Sequence, residues 1–394
     1  MPRPLSALTP DEQRLYTAQG ADPLAADRQQ ILADTAEEQG QEQRAALLRQ
    51  TRLSLLELLR GQALTEQESA QVAVRIHALL TSPALGQQAT AMERELSSAL
   101  GGPQRGNDML ELLDPEGNLD IARLPEQYDF QVTLLASLDL LEYQSGHLGI
   151  TGIDHHFHPL PPLSEIQRRL QTPALYQKVA QGFNLLVLVP FALPLKRLLD
   201  AWRQDLLRNE HLLQLHGGLN REESLWAWEE GFGLREGQGP DEDGRLIYTP
   251  QRFEADHGGH TKGQLLASKA DGWQVLLTEG SLTNLPLAGQ VQLIADRRQI
   301  EAGRTPREYL ESLPQTEVGW TPETYIVAFL THLERTGQPL DTETLTYLIG
   351  SYAPTSGLVP YADWNPWRRQ AYLDGYHPGI DFPGSGGRVT VGVL

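Results

Sequence analysis

The sequence predicts an α+β protein in which an N-terminal helical region precedes a larger domain of helices, short strands and long connections. Two observations support this fold class. Apolar residues recur at helical spacing over residues 9–100, whereas helical and strand-like segments are mixed after residue 164. Short strands scattered between helices are typical of α+β proteins, because a parallel α/β sheet would need regular alternation of the two.

The N-terminal region, residues 1–102, carries repeated helix-start signals. Thr9 and Thr65 each precede a glutamate by three residues, which is the spacing of a capping box, and Pro10 occupies a first helical position. The polar faces of these helices are rich in Gln, Glu and Arg. We therefore expect a scaffold or an oligomerisation surface here.

Residues 103–163 are predicted to be a linker and connecting segment, because Gly and Pro cluster at its start. Its apolar stretch at residues 130–143 fits a helix or a strand equally well. Residues 164–394 form the predicted main domain. Strands are expected at residues 185–189, 225–228, 245–248 and 273–277, and helices at residues 173–181 and 195–213, after Thr305 and after Thr321.

The C-terminal stretch from residue 361 onward interleaves aromatic, acidic and amide side chains with Gly and Pro. It has no clear apolar period, so we expect an exposed loop. Tyrosine and tryptophan provide large contact areas with few rotors to freeze, which suits a binding surface. The β-branched segment at residues 388–394 predicts a final strand that fastens this loop.

The composition excludes several functions. A net charge of -19 argues against nucleic acid as a partner, and a chain without cysteine has no thiolate nucleophile or Cys-ligated metal. The most apolar window, residues 183–198, contains prolines and is too short to span a bilayer, so direct membrane insertion is not expected. No signal peptide is readable, which predicts a cytoplasmic protein unless it is exported by another route or is phage-associated.

Near its C-terminus the sequence resembles the ending of the variable proteins of diversity-generating retroelements. The resemblance rests on Ser356, Gly357, Pro360, Trp364, Arg369, Gln370, Leu373, Pro378, Gly386, Gly387, Arg388 and Val389. It implies a C-type lectin fold of the formylglycine-generating-enzyme type for residues 164–394. It further implies a non-enzymatic binding protein without a cofactor, whose partner is an unidentified macromolecule, with a protein favoured.

In that family, reverse transcription directed by adenines rewrites codons just before the last strands. The resemblance places the variable region at about residues 361–386, with ligand-binding positions at Ala362, Asp363, Asn365, Tyr372, Asp374, Tyr376, His377, Asp381, Phe382 and Ser385. It assigns the framework of the site to Trp364, Trp367, Gln370, Gly387 and Arg388. The absence of cysteine means that the family's oxidase activity is not carried over.

The alternative function is a metal-dependent hydrolase that uses residues 154–158. His156 and His158, with Asp154 nearby, have the alternation that puts two imidazoles on one side of a strand. Such hydrolases need a (β/α)₈ barrel after the motif, which the following residues do not predict. A hydrogen-bonded histidine cluster is the favoured interpretation. Lys262, within a glycine-rich stretch, is predicted to lie in a flexible loop, and residues 241–244 in an acidic turn.

Overall fold

The structure is a computed structural model that describes Leu112 and residues 119–232, 246–269, 271–280, 283–287 and 289–394. These residues belong to one compact unit, Thr90–Leu394. The helices predicted for residues 9–100 and the acidic turn at residues 241–244 lie outside the described residues. Within the described ranges the architecture is mixed α and β, as predicted.

The helices, numbered in chain order, are α1 (Leu124–Ser137), α2 (Leu163–Leu170), α3 (Pro173–Ala180), α4 (Leu195–Arg208), α5 (Glu210–Leu213), α6 (Glu229–Phe232), α7 (Lys262–Lys269), α8 (Pro306–Glu311) and α9 (Pro322–Thr336). The strands are β1 (Glu142–Gln144), β2 (His147–Thr151), β3 (Phe157–Pro159), β4 (Phe183–Val189), β5 (Leu225–Ala227), β6 (Ile247–Tyr248), β7 (His260–Thr261), β8 (Gln274–Glu279), β9 (Leu293–Ile294), β10 (Arg297–Arg298), β11 (Val318–Gly319), β12 (Leu345–Tyr347), β13 (Ser351–Tyr352), β14 (Val359–Asn365), β15 (Gln370–Tyr376), β16 (Ser385–Gly387) and β17 (Val389–Gly392).

A four-stranded sheet in the order β11-β17-β8-β4 forms one side of the core. Every residue of β4 is buried, which explains why all of them except Asn184 are apolar. The terminal segment predicted as a strand is β17, and it pairs antiparallel with both β8 and β11. The C-terminal end of the described chain is therefore held on two sides.

Helix α1 covers the outer edge of β4 with two glutamine side chains. Gln127 accepts a hydrogen bond from the backbone N–H of Leu186 at 2.6 Å and donates to the carbonyl of Asn184 at 3.1 Å. Gln131 donates to Thr331 Oγ1 of α9 at 2.8 Å. The segment predicted as a connection thus contains a helix that packs on the core, followed by the β1-β2-β3 meander. The sequence left helix and strand both open for residues 130–143, because these glutamine contacts reach a strand 57 or more residues away and have no local signal.

Helix α9 is the centre of the packing. It packs against α4, β4 and β14, and its residues from Pro322 to Leu333 are all buried. A helix surrounded by other elements needs no polar face. The ring centroids of Trp202 in α4 and Phe329 lie 5.0 Å apart in an edge-to-face arrangement. Thr321 caps the helix by accepting from Thr324 N, as its predicted start requires.

Lys262 contradicts the prediction of a flexible loop. It begins α7 and is fully buried, and its Nζ lies 3.0 Å from Oε1 of Glu323, which is also fully buried. The Lys262 ammonium also donates to the carbonyl of Leu193 at 2.8 Å. The partner Glu323 is 61 positions along the chain, so no local sequence pattern indicated this pair.

The second large sheet has five strands in the order β16-β12-β14-β15-β5. Strands β14 and β15 pair antiparallel over seven residues each and form a hairpin. The prediction of a loop over this part of the C-terminal stretch is therefore wrong. No helix among the described residues combines the length and the apolar character needed to cross a membrane.

Candidate functional site

The hairpin of β14 and β15 has two faces of different chemistry. Ala362, Trp364, Ala371 and Leu373 are completely buried and face the core, where α9 packs against β14. Five of the alternate residues, Tyr361, Asp363, Asn365, Tyr372 and Asp374, are half-buried and lie on the other face, where Asp363 pairs with Tyr372 and Tyr361 pairs with Asp374. Because side chains alternate along a strand, the register alone separates the two sets.

Neighbouring strands extend the half-buried face into a polar and aromatic surface. In β5, Trp226 pairs with Tyr372, and their rings stack with centroids 5.5 Å apart. On the other side of β14, Thr346 of β12 pairs with Ala362 of the buried face. The preceding residue, Leu345, therefore lies beside Asp363 on the groove side. We call this surface, with Trp226, Leu345, Tyr361, Asp363, Tyr372 and Asp374, the groove face.

A groove of about 590 Å³ lies over this face. The sheet contributes its floor through Leu345, Tyr361, Asp363 and Tyr372. Two further segments form its walls, and these comprise Thr342, Glu343 and Thr344, then Phe382, Pro383 and Gly384. The remaining lining belongs to the end of β14 and to the turn after it, and comprises Trp364, Asn365, Pro366, Trp367 and Arg368. This volume is within the range of ligand-binding clefts.

The turn between β14 and β15 is held by Asn365. Its Oδ1 accepts from Arg368 N at 2.9 Å and its carbonyl accepts from Arg369 N at 2.7 Å. The turn presents Trp367 to solvent with 93% of its surface exposed. The prediction that Trp367 anchors the framework is therefore wrong, because a tight turn points this side chain away from the core.

The two acids on the groove face have different surroundings. Asp374 accepts hydrogen bonds from Gly375 N at 2.7 Å and from the Tyr361 hydroxyl at 3.4 Å. Within the described residues, no hydrogen bond or ion pair reaches the carboxylate of Asp363. Burial raises the pKa of Asp363 to about 7, and the nearby carboxylates of Asp341 and Asp374 add to this rise.

Beside the groove, Arg388 supports the hairpin from inside the molecule. Its Nη2 lies 2.6 Å from Oδ1 of Asp341, and both side chains are buried. Thr346 Oγ1 donates to the same carboxylate at 2.6 Å and accepts from Arg388 Nε at 3.1 Å. The backbone N–H of Trp364 donates to the Asp341 carbonyl at 3.1 Å. This cluster fixes β12 and β14 relative to each other.

The other framework candidates, Trp364, Gln370 and Gly387, are also buried, a placement that suits a framework role. Gly387 permits close packing, because a Cβ there would lie 3.2 Å from Ile349 Cδ1 and 3.3 Å from Tyr309 Cγ. Trp364 fills the space beneath the hairpin.

The predicted ligand-binding positions divide into three groups. Asp363, Asn365, Tyr372 and Phe382 line the groove. Four more are half-buried or exposed next to it in β15 and the segment that follows, and these are Asp374, Tyr376, His377 and Asp381. Ala362 and Ser385 are fully buried, contrary to the prediction. Residue type alone could not detect this, because alanine and serine occur on either face of a strand.

The residues of the alternative metal site contact one another. Asp154 Oδ1 lies 3.1 Å from His158 Nε2, and its Oδ2 lies 3.3 Å from His156 Nδ1. His158 is buried and His156 is exposed. Among the described residues there is no group of three or more His, Asp and Glu arranged to hold a metal ion. The favoured interpretation, a hydrogen-bonded histidine cluster, agrees with this geometry.

Sequence reasoning did not select several groove residues as site residues. Glu343, Leu345 and Arg368 line the groove, and Trp226 stacks beside it. Trp226 lies in a predicted strand, but the pairing of that strand with β15, about 145 residues later, has no local signal. Arg368 follows Trp367 directly, so recognising the turn would have drawn attention to both.

Comparisons of the chain with protein-family models, with curated proteins and with solved structures found no match in any of the three. Its function is therefore inferred from the groove and its residues.

Proposed function

We propose that this protein is a non-enzymatic binding protein whose groove accommodates a macromolecular ligand, with a protein as the favoured partner. We further propose that it is a variable protein of a diversity-generating retroelement with a C-type-lectin-like domain. The observation that carries the proposal is the groove itself, where Asp363, Asn365, Tyr372 and Phe382 converge on one cleft. The resemblance near the C-terminus selected these four positions without reference to their spatial proximity.

The packing of the hairpin is compatible with a groove face whose residues change from one copy of the protein to another. The side chains that hold the hairpin, such as Trp364, Leu373 and Arg388, face the core and are buried. Replacing half-buried polar residues of the groove face, such as Asp363 and Asn365, removes few core contacts, so substitutions there cost little stability. Tyr361 and Tyr376, by contrast, pack against a buried cluster that contains Tyr347. A surface that must vary and a core that must stay constant therefore occupy alternate positions of the same two strands.

The chemistry of the groove face also suits a protein partner. Aromatic residues with a polar end contribute most to protein interfaces, and the groove has Tyr361, Tyr372 and Trp367. Trp367 already lies in water, so burying it against a partner removes a large apolar surface from solvent.

The test is to compare copies of the gene with a nearby template repeat. We expect differences at the codons for Asp363, Asn365, Tyr372, Asp374 and Tyr376, each at an adenine of the template. The codons for the buried residues serve as the internal control and should stay constant, namely those of Ala362, Trp364, Leu373, Ser385 and Arg388. Differences spread evenly over both faces of the hairpin, or the lack of any template repeat, would contradict the proposed diversification.

A further inference from the structure

The groove contains a carboxylate for which the described part of the chain provides no counter-ion. Asp363 is half-buried on the floor, and the described residues supply it with neither a hydrogen-bond donor nor an ion-pair partner. Glu343 adds a second acid to the lining, and Arg368 is the lining's basic residue. A partly desolvated carboxylate without a partner is unfavourable, and a cation that enters the groove would relieve this cost.

The aromatic rings of the groove suit a planar cation. Tyr372 lies directly opposite Asp363 on the neighbouring strand, so its ring stands beside the carboxylate. The guanidinium carbon of Arg368 lies 6.0 Å from the centroid of the Tyr372 ring, which places a guanidinium at the limit of favourable contact with that ring. Trp226 stacks on Tyr372 at 5.5 Å and fixes its orientation.

From this arrangement we infer that the groove binds an arginine side chain of the partner protein, with Asp363 as its counter-ion and Tyr372 as its stacking surface. The inference rests on the proposed ligand-binding function and specifies the chemistry of the partner. A guanidinium is favoured over an ammonium because it is planar, more weakly hydrated and able to bond a carboxylate through two N–H groups. The net charge of -19 would also attract a basic partner.

The experiment selects peptides from a random library displayed on phage against the purified full-length protein. We expect arginine to be enriched in the retained peptides. One of these is then synthesised in two forms, with arginine and with citrulline, which has nearly the same shape but no charge. The dissociation constants of both are measured by titration calorimetry. The citrulline form should bind about tenfold more weakly, as loss of a charged hydrogen-bonded pair requires.

Two variants move the affinity in opposite directions. Asp363→Asn should weaken binding of the arginine peptide about tenfold and abolish the difference between arginine and citrulline, because the two changes remove the same interaction. Arg368→Gln should strengthen binding of the arginine peptide, because it removes the like charge near Tyr372. Asp256→Asn is the matched control, since this exposed acid lies outside the groove lining and its loss should change nothing.

The outcomes separate this inference from the proposed function. If retained peptides lose binding with Tyr372→Ala but carry no excess of arginine, or if Asp363→Asn binds them unchanged, the groove binds ligands and the arginine inference is wrong. A lysine peptide that binds as tightly as the arginine peptide would also overturn it. If no peptide is retained better by the protein than by Tyr372→Ala, with both proteins folded by circular dichroism, both the inference and the proposed binding function fail.

Discussion

Asp341 is a fully buried carboxylate and Asp363 a half-buried one beside the same hairpin, and their bonding partners differ. Asp341, inside the molecule, is fully buried and bonded by Arg388, Thr344 and Thr346. Asp363, in the groove, has no such partner within the described residues. Within the described residues, the Asp341 carboxylate that supports the fold therefore has a counter-ion, whereas the Asp363 carboxylate in the groove has none. We expect this contrast to appear in both stability and binding.

The largest expected change in unfolding free energy comes from placing a charge on the buried face of the β14-β15 hairpin. Ala362→Asp places a carboxylate on the buried face, where the nearby cation Arg388 already pairs with Asp341. We expect the free energy of unfolding to fall by more than about 4 kcal/mol, because burying an unpaired charge is among the most destabilising substitutions. Urea denaturation followed by tryptophan fluorescence measures this loss.

Asn365→Asp is the control for this measurement, because it adds the same charge on the groove side and keeps the oxygen that caps the turn. Its stability should change by no more than about 0.5 kcal/mol. Equal losses in the two variants would show that the hairpin does not separate a fixed face from a tolerant one.

The next largest effect comes from breaking the internal ion pair. Arg388→Met leaves Asp341 buried without its cation, and we expect a loss of about 3 kcal/mol in unfolding free energy. Arg368→Met, at the exposed turn, is the matched substitution and should cost less than about 0.5 kcal/mol. If Arg388→Met is as stable as the parent protein, the buried cluster does not fix the hairpin.

The smallest effect concerns the pH dependence of Asp363. Its pKa is about 7 in the folded protein and about 4 in an unfolded chain, so the folded state holds a proton that the unfolded state releases between these values. The contribution of Asp363 to unfolding free energy therefore falls as pH rises from about 4 to about 7 and then stays constant. The other charged or titratable groups that surround it are Tyr325, Asp341, Glu343, Tyr361, Arg368, Tyr372 and Asp374.

Asp363→Asn removes this contribution. Relative to the parent protein, the variant should gain about 1–3 kcal/mol of unfolding free energy between pH 4 and pH 8, a range that allows for solvent screening of a half-buried group. The difference is measured by urea denaturation of both proteins at a series of pH values. Parallel stability curves would show that the Asp363 carboxylate is compensated after all.

The sequence predicted the elements whose signals are local. The continuous apolar run at residues 185–189 is part of β4, and the threonines before α8 and α9 act as the N-caps that their spacing indicated. The hairpin escaped prediction because its inner positions include two alanines, Ala362 and Ala371, which weaken the apolar alternation. With that alternation recognised, Ala362 would have been assigned to the core.

Parts of the candidate site depended on contacts that no local pattern reveals. The resemblance indicated Asp363 and Tyr372, but Glu343 joins the site from the segment before β12. Trp226 joins it through β5, whose partner strand lies about 145 residues later. Trp367 was misplaced for a different reason. A tryptophan that the resemblance assigns to the framework need not be buried, since the tight turn after Asn365 leaves its side chain in solvent.

The two glutamines of α1 decide where the chain can be cut to give a stable fragment. Six of the seven residues of β4 are apolar. Without Gln127 and Gln131, the backbone N–H groups of Leu186 and Leu188 at its edge would lose their acceptors, which gives another molecule a template on which to add a strand. A fragment that starts at residue 164 lacks both amides and would be expected to aggregate through this edge. The separately stable portion of the described chain therefore has to include α1.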